Sequence, residues 1–106
     1  MTYKYRYTNV PSILQGDVPE SEAESYISGL HTNIEFHHIM NGTKYSRKLS
    51  EQYGLWIWLT KQEHENLHGT KEGAALQRTL KQECQALFEM EHPREMWIRL
   101  FHRNYL

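Results

Sequence analysis

Apolar and polar side chains alternate from Ile34 to Ile39, so an extended chain would carry Ile34, Phe36 and His38 on one face and Glu35, His37 and Ile39 on the other. A second run, Leu55 to Leu59, puts Leu55, Ile57 and Leu59 on one face and Trp56 and Trp58 on the other. A strand apolar on both faces needs cover from both sides. Asn41-Gly42 is a turn signal that sends the chain back after the first strand. Thr60-Lys61-Gln62-Glu63 has the form of a capping box, with the Thr60 hydroxyl accepting from the Glu63 amide and the Glu63 carboxylate reaching back, so a helix should start there. Ser50 to Tyr53 reads as one helical turn, capped by Ser50 and stopped by Gly54. The expected order is strand, turn, strand, helix.

Tyr3, Tyr5 and Tyr7 alternate with Lys4 and Arg6 and predict a further short strand. Asp17, Glu20, Glu22 and Glu24 make an acidic loop or short helix that would repel a phosphate backbone if it lay near the site. After Gly69 a long helix is expected from about Lys71 to Glu91, with Leu76, Leu80, Cys84, Leu87 and Phe88 as its buried stripe. Pro93 suits the first turn of a last helix whose apolar face is Met96, Trp97, Leu100 and Phe101, and which ends at His102 and Arg103. The fold class is therefore α+β. The chain reads as one domain, with residues 1–24 as an N-terminal extension, 25–69 as the core and 70–106 as C-terminal helices.

With 12 basic and 13 acidic residues the formal charge is −1, so no global positive field draws nucleic acid, although a local basic surface is compatible with that total. The basic residues cluster tightly at Lys44, Arg47 and Lys48, which follow the Asn41-Gly42 turn and could pair with phosphates. No apolar run reaches the length of a membrane span and the N-terminus lacks a secretory signal, so a cytoplasmic protein with no membrane partner is expected. Cys84, the single cysteine, fits a buried apolar position better than a nucleophile.

Four of the seven histidines fall within the strand–helix stretch: His37 and His38 end the first strand, and His64 and His68 lie i, i+4 on one face of the helix. Isolated histidines usually serve as polar ties within a core. Two at a strand end and two across a helical turn favour a metal site. His31, between the acidic stretch and the first strand, reads as a loop imidazole.

In their order along the chain, Ser25-Tyr26-Ile27-Ser28-Gly29, Glu35-Phe36-His37-His38-Ile39, Arg47-Lys48-Leu49-Ser50-Glu51-Gln52-Tyr53-Gly54-Leu55 and Arg103-Asn104-Tyr105-Leu106 resemble the HNH endonucleases, and more narrowly a group of small phage-encoded HNH-like proteins. The resemblance spans roughly residues 12 to 106. It implies a ββα-metal core with a short hairpin and helix, metal-dependent hydrolysis of DNA phosphodiester bonds, and a site in the host cytoplasm. It further implies His37 as metal ligand, His38 as general base, His64 as the ligand from the helix, and His68 as a further ligand or an orienting group. The cation would be Mg, Mn, Ni or a catalytic Zn, with imidazole-rich ligation favouring a transition metal.

Two departures accompany the match. Ser25 and Ser28 stand where the family has the cysteines of a structural zinc knuckle, with Thr60 and Glu63 opposite, and hydroxyls do not replace thiolates, so no structural zinc is expected. The family's middle asparagine has no counterpart, because Gly54 or a neighbour occupies its place and Asn66 lies on the helix. Two other classes of function fit the same residues: a degenerate HNH-like module that binds a protein, such as a host-defence or packaging component, and a DNA-binding or recombination accessory with structural histidines.

Overall fold

The computed structural model describes residues 10–106, and the expected tyrosine strand lies outside the described residues. Strand β1 (Ile34–His38) pairs antiparallel with β2 (Trp56–Thr60), in a register that sets Phe36 opposite Trp58 and His37 opposite Ile57. Helix α1 (Lys44–Tyr53) connects them, and α2 (Lys61–Gly69), α3 (Lys71–Phe88) and α4 (Arg94–Phe101) follow. A two-stranded antiparallel ribbon with four α-helices among the described residues makes the chain α+β.

Both faces of β2 are covered, as its composition demands. Leu55, Ile57 and Leu59 face a core built with Leu67 of α2, Leu80, Cys84 and Phe88 of α3, and Trp97 and Phe101 of α4. Trp56 and Trp58 pack with Phe36 and Ala23 on the other face. The segment before β1 closes the outer edge of β2. Ser12 donates to the Trp56 carbonyl at 2.5 Å, the Trp58 amide donates to Gln15 Oε1 at 2.7 Å, and the Tyr26 amide donates to the Trp58 carbonyl at 2.9 Å. An open strand edge would invite foreign strands, and these bonds remove it. The acidic stretch contributes one short 3-10 turn, Glu20–Glu22.

Helix α1 differs from the expected loop and single turn. It runs ten residues, its N-cap is Thr43, which accepts from the Ser46 amide, and Gly54 closes it at φ 73°. Ser50 is not a cap. Its hydroxyl lies inside the fold and binds both the amide and the carbonyl of Met40, at 3.0 and 2.8 Å. Lys44, Arg47 and Lys48 consequently sit on a helix rather than a loop.

The α2 start carries the capping box in full: the Glu63 amide donates to Thr60 Oγ1 at 3.1 Å and the Thr60 amide donates to Glu63 Oε1 at 2.9 Å. The Ser25 hydroxyl also donates to Glu63 Oε1, at 2.6 Å, while accepting from the amides of Ile27 and Ser28. Burial pushes the Glu63 carboxyl up, but hydrogen bonds from Ser25, Ser28 and Thr60 together outweigh it and hold the group below its ordinary value. The Ser25–Gly29 turn is thereby tied to the helix start by an ionised carboxylate and hydroxyls. Thr70 then ends α2 and caps α3, and the buried Gly73 lets the two helices approach at Asn66 and Leu67.

Candidate metal centre and histidine cleft

The alternation of β1 turns His37 toward α2 and α3, while His38 follows Phe36 on the opposite face. His64 and His68 come up from one face of α2 to meet His37. The three ring centroids stand 5.1 Å (His37–His64), 5.5 Å (His37–His68) and 5.2 Å (His64–His68) apart. One nitrogen from each ring lies within 4.8 Å of the others. A tetrahedral ion with bonds of about 2.0–2.1 Å needs nitrogens about 3.4 Å apart, so small side-chain rotations close the set.

Neighbouring groups fix the rings. Glu35 Oε1 is 2.9 Å from His64 Nδ1, and Gln77 Oε1 is 3.0 Å from His37 Nε2. An acceptor on one ring nitrogen puts the proton there and leaves the lone pair on the other, the arrangement that prepares imidazole for a metal. Burial, partly offset by the Gln77 hydrogen bond and reinforced by the charges of His64, His68 and His38, lowers His37 to about 3. Burial, then the charge of His64, also lowers His68. Neutral imidazoles are the ligating form. The donor set is all nitrogen, which suits Zn or Ni and does not suit Mg or Mn, cations that prefer oxygen.

His38 joins these rings around a cleft of about 370 Å³, lined also by Phe36, Asn41 and Arg47. Its Nε2 is 2.7 Å from Glu51 Oε2, with both side chains buried. Burial, with the charges of Arg47 and His64 adding to it, lowers His38 below its ordinary value despite the hydrogen bond it donates to Glu51 and the Glu51 charge. The carboxylate accepts from Nε2–H and so fixes the proton on that nitrogen. Asn41 braces the end of β1 by donating to the His38 carbonyl at 3.1 Å.

His37, His38, His64 and His68 are thus brought together, and Arg47 joins them. Lys44 and Lys48 are exposed on α1 outside the residues that line the cleft. His31 is exposed and lies 3.3 Å from Glu24. Burial pushes up the Cys84 thiol, as suits a core residue. Sequence reasoning missed Glu35, Glu51 and Gln77. Glu35 shares the strand face of His37 and could have been found from that alternation, whereas nothing local marks Glu51 or Gln77.

Comparison with protein-family models, with curated proteins and with solved structures returns no match to this chain.

Proposed function

We propose that this chain is an HNH-like, ββα-metal endonuclease that hydrolyses DNA phosphodiester bonds. The observation that carries the reading is the convergence of His37, His64 and His68 beside a buried, carboxylate-bound His38 in one cleft. His37, His64 and His68 would hold a divalent transition metal, which would supply positive charge to stabilise the phosphodiester in its transition state.

The chain's own residues supply the rest. His38 takes a proton from water as the water oxygen forms its bond to phosphorus, and the bond from phosphorus to the leaving sugar oxygen breaks. Glu51 keeps His38 in the tautomer that can accept and stabilises the imidazolium that results, which fills the bracing role left without a matching asparagine. Arg47 offers a cation to the phosphate from the cleft wall.

A plasmid nicking assay with Mn, Ni, Zn and Mg in turn tests the reading. Cutting with a transition metal, reduced about 10²–10⁴-fold in His38→Ala, is the expected result. Failure of every metal, or a His38→Ala variant that cuts like the parent, would leave the protein-binding module as the better reading.

A further inference from the structure

A second cleft, of about 350 Å³, opens beside the first and shares Asn41 and His68 with it. Arg78 and Lys81 from α3 and Arg103 from the tail after α4 line it together with Tyr105, and no carboxylate does. Lys81 Nζ lies 5.5 Å and the Arg103 guanidinium 5.2 Å from the centre of the Tyr105 ring. Among the described residues none of the three cations forms an ion pair. Burial, then the charge of Arg103, holds the Lys81 ammonium below its ordinary value.

The tail that brings Arg103 here is held firmly. Trp97 Nε1 donates to the Arg103 carbonyl at 2.9 Å, the Tyr105 amide donates to Gln85 Oε1 at 2.7 Å, and Gln82 Nε2 donates to the Tyr105 carbonyl at 3.0 Å. Gln85, fully buried, also donates to Asn104 Oδ1 at 2.8 Å. The closing Arg103-Asn104-Tyr105-Leu106 segment is therefore a positioned wall of the cleft.

Gathering like charges without a counter-charge opposes folding, and in a chain of formal charge −1 it is no by-product of a basic composition. An arriving anion offsets that repulsion. Because the two clefts are neighbours that share Asn41 and His68, an anion that reaches from one to the other is a chain of phosphates. We propose that Arg78, Lys81 and Arg103 form a track for the DNA backbone, holding the strand that flanks the phosphate under attack. The inference rests on the nuclease reading and adds the path of its substrate.

Binding of a fluorescent DNA duplex to the full-length chain, measured in chelator from low to moderate salt, tests the track. Each phosphate contact contributes about 0.9 to the slope of log K against log salt. Arg78→Gln, Lys81→Gln and Arg103→Gln should each lower that slope by about 0.9 and weaken binding, while Arg99→Gln on α4 leaves both unchanged. Arg78→Lys, Lys81→Arg and Arg103→Lys should keep the slope, which separates lost charge from lost folding. The track is refuted if the triple glutamine variant keeps the parental slope, if Arg99→Gln lowers it equally, or if the parent binds no duplex. Nicking by a parent whose slope ignores the triple change would remove the track and leave the nuclease. Track-dependent binding without nicking under any metal would retain the track as a DNA-binding surface and remove the nuclease.

Discussion

His38 and Glu51 meet at 2.7 Å in the interior, a strand-end imidazole and a helix carboxylate joined across the connection that α1 forms between the two strands. Glu51 is only 3 % exposed, and a carboxylate so deep is stable there because of the groups that bind it. Glu51→Gln keeps a hydrogen-bonding group of the same shape but removes the charge that stabilises a protonated His38. Its nicking rate should fall by about 10–100-fold, while metal affinity, which depends on other rings, stays unchanged. An equal loss of metal binding would show that the cleft had collapsed instead.

Acid should unfold the chain partly through its histidines. His37 is lowered to about 3, below the ordinary value of 6.5, so the unfolded chain takes up a proton that the folded chain refuses. The stability due to its neutral form is fully present above 6.5 and is lost as the pH falls toward 3, at up to about 1.4 kcal/mol per pH unit. His38 and His68, both lowered, act in the same direction. Urea denaturation between pH 7.5 and about 4.5 measures the slope. His37→Phe should flatten it, and an unchanged slope would place the proton uptake elsewhere.

The start of α2 depends on Glu63. Glu63→Ala removes the return bond of the capping box and the acceptor of the Ser25 hydroxyl, and should cost about 1–3 kcal/mol. Because this corner is held by hydroxyls and a carboxylate, excess chelator should leave the far-ultraviolet circular dichroism unchanged. Unfolding in chelator, as in a zinc-dependent domain, would overturn that description.

Gly73 sets the distance between α2 and α3. A Cβ there would collide with the Asn66 carbonyl and the Leu67 Cα, so Gly73→Ala must push the helices apart, at a cost of about 1–3 kcal/mol. The same shift withdraws Gln77 on α3 from His37. Weaker metal binding together with a lower melting temperature is expected, and a stable variant with full metal affinity would show that the helix spacing does not control the site.

What the sequence made legible is what repeats or caps. The alternation of Leu55, Ile57 and Leu59 against Trp56 and Trp58, the Thr60–Glu63 box and the His64–His68 spacing each express one local rule, and each appears in the fold. Helix α1 was obscure because its buried side chains are Leu49, Ser50 and Glu51, a set with too little apolar periodicity to announce a helix. Glu51, Gln77 and Gln85 were invisible for a related reason. Each is a polar residue whose position is dictated by a distant partner, His38, His37 and the C-terminal tail respectively, and no local spacing encodes such pairings.

A titration of the protein with cobalt(II), followed by visible absorption, tests whether His37, His64 and His68 share one ion. One equivalent should bind the parent, and His37→Ala, His64→Ala and His68→Ala should each weaken binding by about tenfold or more, while His38→Ala binds as the parent does. A parent that takes up no cobalt, or three variants that bind it undiminished, would contradict the shared metal site on which the proposed chemistry rests.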